Sequence, residues 1–446
     1  GAELYYAIDN LAKALVLAKM HDRAIATYQR ELVIGVELDG NKDGEHVASV
    51  STAIATPYLA LRRYQDAETS LLRAVKIRET QNAHSGLHHS LLELGKLYRE
   101  QGLYARAEPV LRRAVEVCFK GIGPNHAQEH MRILAMTLAA LENYEDAKVL
   151  LDKLLEWGKE SGEEYVGYAL LLGLRGELDV QMGAYDHAEI VFARSQAILD
   201  KLAAKNTRGA TDGLVALGGA RGRLLLKEGD WSRAEKLLLA ELDYFEKKYG
   251  AKDRSLGDVL AELADLYRLT GKLDKADTFA SRSLAIRDEN LAPTHPYRAE
   301  SRAVLGRIRE ARGDAKGAQK LHEEALAMRT KEFGAEHPHV GSSLLDLADL
   351  ARRQGQTETA ETQYKKAVAI FEKNFGPEHG KVATTVEGLS ALYANTGKLD
   401  VALRLAQRAA EIRERQTALF VAGGSDAQKR AFLQALQVGT DFITSL

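Results

Sequence analysis

The sequence predicts an all-α fold, about ten helical hairpins stacked into a solenoid with one further helix at the C-terminal end. Three observations carry this. Gly229, Gly271, Gly313, Gly355 and Gly397 lie 42 residues apart. Each is followed five residues later by an alanine, at Ala234, Ala276, Ala318, Ala360 and Ala402. The segments on either side of each glycine carry hydrophobic or small residues at i, i+3, i+4 and i+7, the pattern of an amphipathic helix. A fixed period marks a repeat array, in which each hairpin buries one face within itself and needs a copy on each side to cover the other. The 446 residues therefore extend the array by stacking and do not divide into globular domains of ordinary size.

The stretch 337–377 shows the unit most clearly. Helices are expected over 340–353 and 357–373, joined by a turn at Gln354-Gly355. Ala348, Ala360 and Ala367 fall where the two helices approach, while Leu344, Leu347, Tyr364 and Ile370 fill the space between them. Glycine at the turn supplies the left-handed conformation that ends the first helix cheaply. Toward the N-terminus the same turn recurs at Gly183-Ala-Tyr, Glu142-Asn-Tyr, Gly102-Leu-Tyr, Arg62-Arg-Tyr and Met20-His-Asp. The matching close-contact residues are Ala188, Ala147, Ala107, Ala67 and Ala24. The first helix is expected over 4–19. Pro57 should kink the first helix of the second repeat or shift its start. In the sixth repeat Gly209, Gly213, Gly218, Gly219 and Gly222 crowd one helix, where each interior glycine costs up to ~1 kcal/mol relative to alanine. A softer joint or a close helix contact is expected there. The repeat register ends after Arg415, Ala422-Gly423-Gly424 breaks the last helix, and Ser425 to Gln428 reads as a capping box opening a helix over 427–437. The solenoid thus spans 1–416 and a junction segment 417–446.

Composition excludes several functions. Charged residues make up 28% of the chain, its net charge is -2 and its pI about 6.7. No overall basic field is available to nucleic acid or an anionic membrane. A single cysteine, Cys118, cannot form an internal disulfide or a cysteine-rich metal site and fits a reducing compartment. No apolar run approaches ~18 residues. The reading is a soluble, cytoplasmic chain without a cofactor.

The residues Leu94, Gly95, Tyr98, Ala107, Leu111 and Ala114 of the third repeat resemble the tetratricopeptide pattern, with Leu, Gly/Ala and Tyr in the first helix and Ala, Leu and Ala in the second. The longer period adds about two helical turns and a linker of the form G-x-x-H, seen as GPNH ending at His126, GAEH at His337 and GPEH at His379, with APTH at His295. This is similar to the long-repeat type of the kinesin light chains. The tail SDAQKRAFLQALQVGTDFITSL resembles the junction of bacterial proteins in which such an array precedes a CHAT domain, a caspase-like cysteine protease. That resemblance implies that the chain is the front half of a longer protein, acting as sensor and scaffold for an effector whose catalytic Cys and His lie outside this sequence. The alternative is a stand-alone adaptor that tethers partner proteins.

Within the chain itself no catalytic constellation is legible. Histidines 84, 126, 295, 337 and 379 occupy equivalent places in successive repeats, displaced by on the order of 20 Å when each helix layer adds ~10 Å, so they cannot converge on one ion. They are expected to cap or brace first helices. His88 and His89 are adjacent and should point to different faces, which argues against a zinc pair there. Cys118 with His126 is the pairing that would suggest a thiol nucleophile and base, but no oxyanion loop or orienting group accompanies it, and Cys118 reads as a small buried hydrophobe. The tetratricopeptide resemblance implies a concave surface lined by first helices, where a protein or peptide binds. Carried over, the lining positions are His89, Leu92, Lys96 and Arg99 in the third repeat. Farther on they are Asp258, Asp265, Arg268, Glu300, Arg307, Glu310, Asp349, Arg352 and Arg353. Mixed charge there could clamp a peptide backbone or its charged side chains. Kinesin light chains place two asparagines in the first helix; this chain has Leu345-Asp346, Ala261-Glu262 and Glu387-Gly388 instead.

Overall fold

The structure, a computed structural model, describes residues 2–81, 84–123, 126–160, 162, 164–293 and 295–423, with the side chains of 84, 85 and 416–423 outside the description. The described residues are helical, without strands, and the chain divides into two compact units, Gly1–Trp157 and Gly158–Leu446. The first contains α1 (Ala2–Leu17), α2 (His21–Asp39), α3 (Glu45–Ala53), α4 (Ala55–Ala60), α5 (Tyr64–Thr80), α6 (His84–Glu100), α7 (Tyr104–Gly121), α8 (Gln128–Ala140) and most of α9 (Tyr144–Glu160). The second contains α10 (Val166–Met182), α11 (Tyr185–Ala204), α12 (Ala210–Glu228), α13 (Trp231–Tyr249), α14 (Leu256–Leu269) and α15 (Leu273–Asn290). It continues with α16 (Pro296–Ala311), α17 (Ala315–Phe333), α18 (Pro338–Arg353), α19 (Thr357–Phe375), α20 (Gly380–Asn395) and α21 (Leu399–Gly423). With α3 and α4 together standing for one first helix, the described residues form ten hairpins. The expected helix over 427–437 lies outside the described residues.

All ten turns share one geometry. Each has a single residue with positive φ, at Lys19, Arg62, Gly102, Glu142, Gly183, Gly229, Gly271, Gly313, Gly355 and Gly397. In each, the amide after that residue donates to the carbonyl five residues back, for example Leu103 to Tyr98 at 2.7 Å and Gln356 to Ala351 at 2.9 Å. This bond satisfies a carbonyl that the end of the helix would leave orphaned and reverses the chain in a fixed direction. The first turn is centred on Lys19, one residue before the sequence expectation at Met20. There, as at Arg62 and Glu142, a non-glycine residue occupies the left-handed well, which costs about 1–2 kcal/mol.

What the turn brings together is small. The alanine five residues after the turn is fully buried in every hairpin, and with the first turn at Lys19 this includes Ala24. On the opposite helix, seven residues before the turn, stand Ala12, Ala55, Gly95, Ala135, Gly176, Gly222, Ala264, Gly306, Ala348 and Ser390. A side chain there would collide: a Cβ on Gly95 would lie 2.4 Å from Leu111, and one on Gly176 2.4 Å from Phe192. Larger residues, Tyr364 in α19 and Phe192 in α11, fill the space that the small ones leave.

Local sequence signals resolve as follows. His295, His337 and His379 cap α16, α18 and α20, each Nδ1 accepting from the amide two residues on at 3.1–3.2 Å. Phe333 stacks on His337 and Phe375 on His379. His126 is exposed and does not cap α8, whose cap residue is Ala127, and the side chain of His84 lies outside the described residues. Pro57 sits third in α4, in the first turn where its missing amide costs nothing, and the helix is broken before it at Ile54. α12 runs unbroken from Ala210, with Gly209 before it in the left-handed conformation, and three of its four interior glycines are contact points: a Cβ would lie 3.0 Å from Leu199 on Gly213, 2.0 Å from Glu241 on Gly219 and 3.1 Å from Leu238 on Gly222, while Gly218 faces open space.

Replacing Lys19 or Arg62 with glycine relieves a left-handed side chain and is expected to stabilise the first unit by about 0.5–1 kcal/mol, net of the added unfolded-state entropy. Ala360→Leu is expected to cost about 1–3 kcal/mol by overpacking. Urea midpoints of the full chain read both.

Candidate partner-binding face

In the second unit, consecutive first helices touch in order, α10 with α12, α12 with α14, α14 with α16, α16 with α18 and α18 with α20. They make one continuous face. Six residues before each turn glycine stand Glu177, Arg223, Asp265, Arg307 and Asp349, so the sign of charge alternates from one hairpin to the next. Packed helices lie about 8–10 Å apart, a span that one arginine and one carboxylate side chain can bridge. Arg223 of α12 donates to Glu177 of α10 at 2.5 Å and to Glu262 of α14 at 3.3 Å, with Glu241 of α13 at 3.8 Å. Arg307 of α16 donates to Asp346 of α18 at 3.3 Å. Glu262 and Asp346 each lie one helical turn before the carboxylates of the register, Asp265 and Asp349.

Three carboxylates around Arg223 leave an acidic excess. Burial pushes Glu262 up to about 8; Arg223 pulls it back, while Glu241 and Asp258 add to the rise. Glu241 is pushed up to about 7, by burial first and then by Glu177 and Asp258 against Arg223. Burial alone would depress the Arg307 guanidinium, but Asp346 and Asp265 hold it raised. The face is therefore a set of charges that largely neutralise one another, with a surplus of carboxylate where α12, α13 and α14 meet.

Every predicted position is placed, and most charges are already paired. Asp265 holds Arg268 at 2.8 Å, Glu310 holds Arg353 at 3.0 Å, and Asp349 and Arg352 share the hydroxyl of Tyr364. In the first unit Lys96 pairs with Glu93 at 3.0 Å, Arg99 donates to Thr137 at 2.9 Å, His89 is exposed, and Leu92 belongs to the core. Asp258 and Glu300 serve a different purpose. They hold Arg287 of α15 at 2.6 and 3.3 Å. Arg287 belongs to a second register, sixteen residues after the turn, that also carries Arg78, Arg329 and Arg413. From there Arg78 joins Glu45 of α3, at 2.7 Å, to Ser90 of α6, at 2.6 Å. Arg287 likewise reaches Ser301 of α16 at 2.9 Å, and Arg329 reaches Ser343 of α18 at 2.8 Å. Arg78, Arg287 and Arg329 each fasten their hairpin to the next, whereas Arg413 pairs with Glu387 within its own. Sequence reasoning missed Glu177, Arg223 and Glu241, and took Glu262 and Asp346 only as departures from the kinesin pattern. The alternating sign at one register was the available signal.

Cys118 is buried, and burial pushes its thiol up, opposite to what a nucleophile needs. Its neighbours are His88 and His130, not the His126 that the sequence offered. The histidines considered as ligands in the sequence share one register, whereas His88, Cys118 and His130 come from three. No helix among the described residues is long and apolar enough to cross a membrane.

Small-residue hairpins with an inner charged face define a helical-repeat scaffold, a class that recognises other macromolecules through stacked first helices. Tetratricopeptide repeat models match residues 214–289, 258–331, 305–373 and 340–415, and another matches 89–128. The chain belongs to the tetratricopeptide repeat family, whose members are in general non-catalytic, protein-binding scaffolds. It is similar to the kinesin light chain-related protein 3 of Arabidopsis thaliana, with 22% identity over 303 residues, covering 67% of this chain and 45% of that protein. The chain thus spans under half the length of that relative. Among solved structures it is similar to RapI in its apo form, at 17% identity and a TM-score of 0.51, covering 64% of this chain and 98% of that one. It is also similar to BtubC (BKLC) from P. vanneervenii, at 25% identity and a TM-score of 0.42, covering 51% of this chain and 89% of that one.

The raised Glu262 sets a pH dependence. The folded carboxyl keeps its proton where the unfolded one has lost it, so stability falls as pH climbs from the ordinary carboxylate range through about 8. Glu262→Gln is expected to flatten this fall and raise the alkaline melting temperature, while leaving the midpoint near pH ~5 unchanged.

Proposed function

We propose that the first-helix face of the second unit grips an extended protein segment carrying charges of both signs. The observation that carries this reading is the alternating register Glu177, Arg223, Asp265, Arg307 and Asp349. A self-neutralised face gives little attraction to a uniformly charged chain. It can exchange its internal pairs for a partner's when the partner's charges alternate in step, which favours specificity over raw affinity. The carboxyl groups crowded beside Arg223, which burial holds toward their protonated form, can ionise to receive a basic side chain of the partner. In this reading His89, Lys96 and Arg99 of the first unit offer a second, smaller contact area.

The role assigned to that grip is regulatory. The tail's resemblance to a CHAT junction supports a sensor region of a bacterial protease, in which partner binding favours one arrangement of the repeats and so changes a C-terminal effector. Similarity to a kinesin light chain-related protein supports the second reading, an adaptor that tethers proteins with no enzyme attached.

Both are tested with the full chain. In fluorescence anisotropy against arrayed peptides, alternating-charge peptides are expected to bind with salt-dependent affinity. Arg352→Glu with Arg353→Glu is expected to weaken binding at least about tenfold, or about 1.4 kcal/mol. Unaltered binding would remove those two residues from the account. The intact mass of the native protein separates the roles. A mass well above 49.0 kDa with a Cys- and His-containing segment in the excess supports the protease reading, and a mass near it supports the adaptor.

A further inference from the structure

The position sixteen residues after the turn carries arginine in four hairpins and a metal-binding residue type in one. Sixteen residues after Gly102, where four other hairpins carry arginine, α7 carries Cys118. Twelve residues before the next turn, where Arg78, Arg287 and Arg329 find Ser90, Ser301 and Ser343, α8 carries His130. The third member, His88, comes from α6, the first helix of the same hairpin as Cys118. The slot that elsewhere holds a buried guanidinium and its hydroxyl and carboxylate partners thus holds two imidazoles and a thiol.

Their ligand atoms all lie within 4.8 Å of one another. His88 Nδ1 and His130 Nε2 are 3.0 Å apart. Cys118 is fully buried and His130 is 4% exposed, and Nδ1 of His130 has no hydrogen-bond partner. His130 Nε2 and His88 Nδ1 share one hydrogen bond, so one of the two nitrogens already presents a lone pair to the other, and a bound metal would replace that bond. Tetrahedral zinc, with Zn–N about 2.0–2.1 Å and Zn–S about 2.3 Å, sets its ligand atoms roughly 3.3–3.6 Å apart. The observed spacing brackets that range, so side-chain rotations that move a ligand atom by roughly 1 Å suffice. Two imidazoles and one thiolate form a borderline-soft set suited to zinc(II). The partial exposure of His88 leaves a route for a water as fourth ligand.

We propose that His88, Cys118 and His130 form a zinc(II) site that fastens the third hairpin to the fourth, in the slot filled elsewhere by an arginine. On binding, the Cys118 sulfur–hydrogen bond is replaced by a sulfur–zinc bond and the proton leaves to solvent; nothing is oxidised or reduced. One ion would tie α6, α7 and α8 together, as Arg78 ties α3, α5 and α6. This inference stands independently of what the charged face binds.

The test uses the full, tag-free chain, stripped by chelator under reducing conditions. Zinc(II) is titrated in competition with a chromophoric chelator, and cobalt(II) serves as a spectroscopic probe. One equivalent of zinc is expected, with a raised melting temperature and a thiolate-to-cobalt charge-transfer band. Cys118→Ser is expected to abolish the band and weaken zinc binding by more than about a hundredfold, beyond the effect of losing a supporting group. His88→Ala and His130→Ala should weaken it similarly, whereas His126→Ala should leave it intact. Cys118→Arg combined with His130→Ser rebuilds the arginine–serine pair, and this variant should fold without metal and melt at the same temperature with or without zinc. A chain that gives no thiolate band, or whose Cys118→Ser variant responds to zinc as the parent does, overturns the proposal.

Discussion

The close approach of two helices within each hairpin is the constraint on which the structure depends. It requires a residue no larger than serine seven places before each turn and alanine five places after it, and a turn that always reverses the chain in the same direction. The bond from the amide after the left-handed residue to the carbonyl five back supplies that direction. Once these are fixed, the larger residues Leu111, Phe192 and Tyr364 have only one place to go. Their burial, at roughly 25 cal/mol per Å² of apolar surface removed from water, is the main favourable term. No hairpin has a second layer of its own, so stability accumulates between neighbours.

Between hairpins the joints are polar. Arg78, Arg287 and Arg329 are buried, the first two joining three helices each and Arg329 joining α17 to α18, which is costly unless the guanidinium is well paired. Carboxylates and hydroxyls of the adjoining first helices take up most of the donors of Arg78 and Arg287, and Ser343 accepts from Arg329. This explains why Asp258 and Glu300, which read from the sequence as groove residues, are engaged in holding the array together. Such a joint sets the register between hairpins more strictly than an apolar contact, because a slip of one turn would strand a charge. The glycines of α12 work toward the same end. Gly219 leaves the room in which the Glu241 carboxylate comes to lie beside Arg223.

The fold was legible in the sequence because its determinants are local and periodic. The glycine spacing, the alanines and the amphipathic segments each repeat often enough to be recognised from one chain. Boundaries came within two residues at α1, α18 and α19, and the histidines of the G-x-x-H linkers cap their helices where the linker ends in a helix that begins with proline or glycine. His126 failed that expectation, since α8 starts later and is capped by Ala127. The site was legible only in outline. The resemblance pointed to positions on the first helices, but which charges are spent internally depends on the neighbouring hairpin, 42 residues away in sequence. Arg307 looks free until Asp346 is seen to face it, and Cys118 looks solitary until His88 and His130 arrive from two other helices. Pairings between repeats cannot be read from the composition of one repeat.

The alternation of Glu177, Arg223, Asp265, Arg307 and Asp349 gives this stretch a parity. Deleting or duplicating a single hairpin would set like charges side by side and orphan an arginine, whereas adding or removing two at once would restore the order. The charge pattern therefore repeats over a pair of hairpins, 84 residues from Asp265 to Asp349, twice the period by which the backbone repeats. Growth or recombination of this part of the chain, in nature or by design, is restricted to even steps, although the fold itself would accept any number.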